Sequence, residues 1–147
     1  MKILIVYRRK EKDSWESIKG IWEKLKELGH EVEILSREED LNMDSLSSSM
    51  NSLGKIVEKM DKERNYDVIY TQDWSIAFPL LIPSKILFGK HYCIFHNFEA
   101  SGAQSKIMQK ITGNMLGNKL IVRTKELKKK FPNAILSSDG IAGAIIR

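Results

Sequence analysis

The run Asp67-Val-Ile-Tyr-Thr71 is apolar for the length of one strand and ends in a turn that contains Gln72, Asp73 and Trp74. An apolar helical segment follows, and a second strand-like run then leads into the polar residues at positions 96, 97 and 99. Ligands of open α/β sheets bind in the crevice outside the carboxyl ends of the strands. These two strand ends therefore mark the predicted site.

Strand and helix patterns alternate along the rest of the chain. Lys2-Ile-Leu-Ile-Val-Tyr7 is continuously apolar, which predicts a central parallel strand covered on both faces. Apolar residues then recur every three or four positions from Trp15 to Leu28, and Gly29 supplies a helix stop. The alternation predicts an α/β fold: one Rossmann-like, three-layer domain over residues 1–147, with a parallel sheet of about six strands and helices on both faces.

The sequence makes specific predictions about the extent of two helices. Apolar residues at helical spacing from Met43 to Met60 predict one long amphipathic helix, with its methionines in the core. Residues 103–116 predict a second helix, which Gly113 would interrupt. A short strand and the helix from Thr124 to Lys130 follow it.

The composition predicts a cytoplasmic protein. A single cysteine, Cys93, argues against a disulfide framework and is expected to be a small buried hydrophobe. The apolar segment at the N-terminus is a strand's length and runs directly into Arg8, so it does not resemble a signal peptide. No apolar run approaches the roughly 18 residues that a membrane span needs.

Charge is divided unevenly between the two halves of the chain. Residues 1–73 contain 13 lysines and arginines against 16 acidic residues, whereas residues 74–147 contain 11 against 3. The positive second half favours a weak, peripheral contact with anionic membranes or phosphorylated ligands, and a solvated lysine-rich surface is the simpler alternative. The basic residues expected to form this face are Lys106, Lys110, Lys119, Arg123, Lys125, Lys128, Lys129 and Lys130.

The sequence lacks the motifs of several common catalytic and ligand-binding sites. There is no Asp-X-Asp pair, and His30, His91 and His96 show no metal-ligand spacing, so no metal site is predicted. The loop after the first strand lacks a glycine-rich dinucleotide fingerprint, and no P-loop or nucleophile elbow is present. No tightly bound cofactor is predicted.

Several segments along the chain resemble motifs of one protein family, and they occur in the same order as in that family. They are Leu28-Gly-His-Glu-Val32, Asp67-Val-Ile-Tyr-Thr-Gln-Asp-Trp74, Ile94-Phe-His-Asn97, residues 120–128 and Ser138-Asp-Gly-Ile141. The chain resembles the N-terminal, acceptor-side domain of glycosyltransferases with the two-domain GT-B fold. The likeness is greatest to the retaining family of glycogen synthases and many lipopolysaccharide and phosphatidylinositol mannosyltransferases. Arg147 falls where that family's nucleotide-sugar domain would begin, so the resemblance implies only half of an active site.

The resemblance also implies roles for individual residues. His96 corresponds to the family's histidine beside the transferred sugar, and Asp73 and Trp74 correspond to residues that line the acceptor cleft. Gln72 and Asn97 are expected to join them in binding the acceptor.

The chain departs from the family pattern at several positions. Tyr70 and Gln72 replace two frequent histidines, and Ala142 stands where an aspartate is usual. The first loop lacks the paired glycines that approach the donor diphosphate. Arg8, Arg9 and Lys10 can hold a diphosphate through charge instead, although a solvated loop is the competing interpretation.

Glycosyl transfer needs an acceptor hydroxyl to be placed and deprotonated. His96 can hydrogen-bond a sugar hydroxyl, and Asp73 and Glu99 can act as a base toward the acceptor. Each has a simpler alternative. His96 can satisfy a neighbouring backbone group, Asp73 can cap its helix, and Glu99 can be solvated.

The sequence therefore predicts a glycosyltransferase-type acceptor domain. It would transfer glycosyl groups from a nucleotide-diphosphate sugar to a sugar or lipid-linked acceptor only with a missing or partner C-terminal domain. The alternative is a non-catalytic module that binds glycan, phosphate or anionic membrane on the same fold. Nucleic-acid binding is not favoured, because no recognised motif accompanies the positive charge.

Overall fold

The computed structural model describes residues 1–8, 12–43, 45, 50, 52–81, 89–95 and 103–137. In chain order the described elements are β1 Lys2–Tyr7, α1 Lys12–Glu27, β2 Glu31–Ser36, α2 Leu53–Arg64, β3 Val68–Gln72, α3 Trp74–Leu81, β4 His91–Phe95, α4 Ala103–Leu116, a 3-10 turn Gly117–Lys119, β5 Leu120–Val122, α5 Lys125–Lys130 and β6 Ile135–Leu136.

The six strands form one sheet in the order β2-β1-β3-β4-β5-β6, and every neighbouring pair is parallel. This confirms the predicted α/β class and the strand number. β1 is an interior strand, as its apolar sequence indicates, but it lies beside the edge strand β2, and β3 and β4 occupy the middle of the sheet.

Helices cover the two faces of the sheet unequally. Ile18 and Leu25 of α1 pack on Ile3, Ile5 and neighbouring residues of one face. The described helices α2 to α5 pack on the opposite face, in two adjoining apolar clusters. This division follows from right-handed crossovers, because the chain moves from β1 to β2 in one direction and from β2 onward in the other.

The strand order fixes a topological switch point. β1 leads through α1 toward the β2 edge, whereas the adjacent β3 leads through α3 toward β4. Neighbouring strands whose connections leave in opposite directions open a crevice between their carboxyl ends. The crevice therefore lies between the residues that follow Tyr7 and those that follow Gln72.

The predicted single helix from Met43 to Met60 is wrong, because the described residues of this stretch are not one continuous helix. Met43 lies in a loop after Asn42, whose φ is 55°, whereas Met50 is helical, Ser52 is in a turn and α2 runs from Leu53 to Arg64. Residues 44, 46–49 and 51 lie outside the described residues. The Arg37 side chain donates to the Met43 carbonyl oxygen at 3.2 Å, which holds this loop against the sheet. Met43 still packs on the apolar cluster beneath α2. Its apolar side chain therefore indicates burial, although the residue is not in a helix.

The predicted interruption at Gly113 is also wrong, because α4 continues through it from Ala103 to Leu116. A Cβ atom at Gly113 would lie 2.3 Å from Cε1 of Phe131, a core residue that packs edge-on against Phe95. The glycine allows the chain after α5 to approach α4 closely, and it does not end the helix.

His91, the first residue of β4, is fully buried and lies with its Nε2 2.8 Å from Oγ1 of Thr71. Burial without a charged partner lowers the pKa of His91 from its usual value to about 3. The imidazole is therefore neutral in the folded protein at neutral pH.

We expect acid to destabilise the fold through His91. The pKa of His91 is about 6.5 in the unfolded chain and about 3 in the folded protein, so the unfolded chain binds a proton more readily. The free energy of unfolding therefore falls as the pH drops from about 6.5 to about 3. This single group accounts for a loss of at most about 1.4 kcal/mol per pH unit. Urea unfolding across the window should give a shallower pH slope for His91→Gln, and equal slopes for the two proteins would contradict the assignment.

Candidate functional site

The carboxyl edge of the sheet brings Arg8, at the end of β1, close to Asp73, at the end of β3. Desolvation raises the pKa of the Asp73 carboxyl, and the charge of Arg8 is near enough to oppose that rise. Both residues lie at the switch point that the strand order defines. The structure therefore joins two of the predicted site residues in one crevice.

Asp73 has an unusual backbone. Its φ of 74° is left-handed, a region that side-chain-bearing residues seldom occupy. Its amide donates to the Ile94 carbonyl at 3.0 Å, and its own carbonyl oxygen accepts from the Ala77 amide at 3.2 Å. Hydrogen bonds to β4 and to the first turn of α3 thus hold the strained peptide in place. Left-handed residues that their surroundings fix in this way cluster at functional sites.

The Asp73 carboxylate accepts a hydrogen bond from the Trp74 amide at 2.8 Å through Oδ1. The helix-cap interpretation of Asp73 is thus part of its structural role. Among the described residues, no hydrogen bond is made to Oδ2, so half of the carboxylate can receive a ligand. Desolvation raises the pKa of Asp73, and the Trp74 amide and Arg8 oppose that rise. A carboxylate of raised pKa is a better base than an ordinary surface aspartate.

We expect glycine to be better tolerated than alanine at position 73. Glycine adopts the left-handed region without penalty, whereas alanine pays about 1–2 kcal/mol there, and both variants lose the same carboxylate. Thermal or urea unfolding of Asp73→Gly and Asp73→Ala should rank the glycine variant as more stable. The opposite ranking would show that the backbone at Asp73 is unstrained.

Arg8 is held by the loop that follows β2. Its Nε lies 3.2 Å from Oε1 of Glu38, and its carbonyl oxygen accepts from the Ser36 hydroxyl at 3.2 Å. The same Glu38 oxygen is 3.5 Å from the guanidinium of Arg37, which is only 2% exposed. The Arg8 side chain itself is about half exposed, with 53% of its surface accessible. An arginine positioned by a buried ionic group and open to solvent can bind an incoming anion.

Ser36, Arg37 and Glu38 are site residues that the sequence patterns do not single out. The signal that identifies them is their position, because they follow the carboxyl end of β2 at the same edge of the sheet as Arg8 and Asp73. The polar run that begins at Ser36 is visible in the sequence, but its ionic contacts depend on β2 lying next to β1.

Two of the remaining predicted site residues flank Asp73 in the sequence. Gln72 is half-buried at the end of β3, and Trp74 opens α3 and packs partly against the core beneath it. His96, Asn97, Glu99, Arg9 and Lys10 lie outside the described residues.

Other reactive groups do not enter the described part of the crevice. Cys93 is fully buried, and desolvation raises the pKa of its thiol, so it behaves as the predicted small core residue. Within the described ranges, no three His, Cys, Asp or Glu side chains come together as a metal site requires.

The chain has no significant match to a protein-family model or to a curated protein. None of the described helices is both long and apolar enough to cross a lipid bilayer.

Proposed function

We propose that this chain is the acceptor-side domain of a GT-B type glycosyltransferase. It transfers glycosyl groups from a nucleotide-diphosphate sugar to a sugar or lipid-linked acceptor when a donor-binding domain, on the same polypeptide or on a partner, completes the site. The observation that carries the proposal is the strained Asp73 beside Arg8 at the topological switch point. It coincides with the segment 67–74, one of the segments that carry the family resemblance.

The geometry suits the acceptor half of the reaction. Asp73 lies on a rigid strand end, has a raised pKa and has an oxygen free of the described hydrogen bonds, so it is suited to accept a proton from an acceptor hydroxyl. Arg8 supplies a partly exposed positive charge for a phosphate of the donor or acceptor. The family resemblance assigns binding of the donor nucleotide to another domain.

The proposed activity of the other residues follows the family resemblance. His96 and Asn97 follow Phe95, the last described residue of β4, in the sequence, and the family resemblance assigns them to the acceptor site. Their contact with a transferred sugar, and the action of Glu99 as a second base, are parts of this proposal.

Turnover and binding by the purified chain test the proposal together. With uridine or guanosine diphosphate sugars and methyl glycoside acceptors, we expect neither hydrolysis nor transfer, but weak saturable binding of an acceptor glycoside. Asp73→Asn should abolish that binding. Asp67→Asn is the matched control, because Asp67 lies at the opposite end of the same strand and accepts from the Lys2 amide at 2.7 Å.

Three outcomes would contradict the proposal. Clear turnover by the isolated chain would show that no donor domain is needed. Glycoside binding that is indifferent to Asp73→Asn would place the acceptor elsewhere. Binding without any turnover after a donor domain is supplied would favour the non-catalytic binding module.

A further inference from the structure

Helix α4 exposes three large apolar side chains on one stripe. Ile107, Ile111 and Met115 are 57%, 43% and 40% exposed, and they recur every four residues, so they lie one above another along the helix. We call these three residues the α4 stripe. The side of α4 that carries Gln109, Thr112 and Leu116 is buried, and Leu116 packs in the apolar cluster with Phe95 and Val122. The stripe is therefore directed away from the protein's own core.

Positive charge accompanies the α4 stripe. Lys106 and Lys110 are exposed and each precedes a stripe isoleucine. From Ala103 to Lys119 the sequence contains no aspartate or glutamate. An apolar stripe with lysines and without carboxylates is typical of helices that lie in the interface of an anionic membrane.

Helix α5 extends this charge along the same side of the molecule. Both helices pack over one face of the sheet, and Phe131, directly after α5, contacts α4 at Gly113. Lys125 and Lys129 are exposed on α5. Two other lysines of the predicted basic face also contact the protein itself: Lys119 donates to the Tyr92 hydroxyl at 3.0 Å, and Lys128 donates to the Pro132 carbonyl at 2.6 Å.

We propose that the α4 stripe, with Lys106 and Lys110, is a peripheral docking surface for an anionic phospholipid bilayer. The three apolar side chains enter the headgroup boundary, and the lysines contact lipid phosphates. A second copy of the chain fits the surface less well, because pairing two α4 helices would bring lysines together with no carboxylate on either helix to offset them.

The position of α4 relates this surface to the crevice, and the use of a lipid-linked acceptor there rests on the proposed function. A crossover helix begins where the preceding strand ends, so the first turns of α4, with Lys106 and Ile107, lie toward the carboxyl edge of the sheet. Docking through α4 would hold the crevice near the lipid surface, where a lipid-linked acceptor is found.

Vesicle co-sedimentation tests the apolar part of the surface. We expect the purified chain to bind phosphatidylcholine vesicles that contain phosphatidylglycerol, and Ile107→Ser/Ile111→Ser to weaken this by roughly tenfold or more. Leu28→Ser is the matched control, because Leu28 is 47% exposed at the end of α1, which packs on the opposite face of the sheet. Thermal unfolding should show that all three proteins remain folded, since the replaced side chains are exposed.

The charge is tested with a second pair of variants. Lys106→Gln/Lys110→Gln should weaken binding to the anionic vesicles by about fivefold per lysine, and high salt should have the same effect on the wild type. Lys55→Gln/Lys59→Gln makes the same change at the same spacing on α2 and should leave binding unaltered.

Three results would overturn the proposal. These are no vesicle binding at low salt, binding that survives both the isoleucine and the lysine variants, and a dimer in light scattering that Ile107→Ser/Ile111→Ser dissociates. The last would assign the α4 stripe to a second copy of the chain. None of these results depends on sugar binding, so they leave the proposed function to its own test.

Discussion

Replacing Asp61 with alanine is expected to lower the free energy of unfolding by about 3–5 kcal/mol, because it leaves a largely buried ammonium without its counter-charge. Both carboxylate oxygens of Asp61 lie 2.7 Å from Nζ of Lys90, and Oδ1 also accepts from the Tyr66 amide at 3.1 Å. Lys90 in turn donates to the Tyr66 carbonyl at 3.0 Å. The Asp61 side chain is only 7% exposed and the Lys90 side chain only 23% exposed. This cluster joins the end of α2 to the starts of β3 and β4.

A surface ion pair on the same helix provides the control for Asp61. Glu58 and Lys62 lie 3.4 Å apart, with 69% of the lysine side chain exposed, so Glu58→Ala should cost no more than about 0.5 kcal/mol. Urea unfolding measures both variants. A loss below about 1 kcal/mol for Asp61→Ala would show that the buried pair contributes no more than a surface one.

Replacing Gly113 with alanine is expected to cost about 1–3 kcal/mol, the usual range for overpacking a core. The new Cβ would lie 2.3 Å from the Phe131 ring, which is buried and packs edge-on against Phe95, so the ring would have to shift within the core. Gly20 is the matched control, because it also lies within a helix, in α1, and a Cβ atom added there would have no described neighbour within 4 Å. Gly20→Ala should therefore stabilise the protein by about 0.5–1 kcal/mol.

The loss of stability caused by Gly113→Ala should disappear in a Phe131→Ala variant, which lacks the aromatic ring. Phe131→Ala destabilises the protein by itself, but Gly113→Ala added to it should cost little, because residues in contact are not additive. Thermal unfolding of the two single variants and the double variant completes the cycle. A Gly113→Ala penalty that persists without Phe131 would indicate that the helix backbone, and not the ring, requires glycine.

Most of the fold could be predicted because its signals are local. The apolar runs of β1 and β3 and the three-to-four spacing of α1 depend on residues close in sequence, and alternation then restricts the topology. The two errors, at Met43 and Gly113, arise from side-chain contacts that helical spacing does not encode. Arg37, six residues earlier in the chain, donates to the Met43 carbonyl oxygen, and Phe131 reaches Gly113 from beyond α5.

The candidate site could be predicted in its location but not in its details. Parallel strands place Arg8 and Asp73 at one edge, whatever their exact contacts. The left-handed backbone of Asp73 depends on hydrogen bonds to β4 and α3, and the Glu38 contact of Arg8 depends on β2 lying next to β1. No sequence pattern encodes those long-range contacts.

Amide chemical shifts in the ¹⁵N-labelled chain, titrated with an acceptor glycoside that the chain binds, test the central claim most directly. We expect shift changes at Arg8, Ser36, Glu38 and Asp73, on the carboxyl edge, and none at Asp61 on the amino edge. Shift changes centred on the amino edge, or spread evenly over the sheet, would contradict the assignment of the crevice between β1 and β3 as the acceptor site.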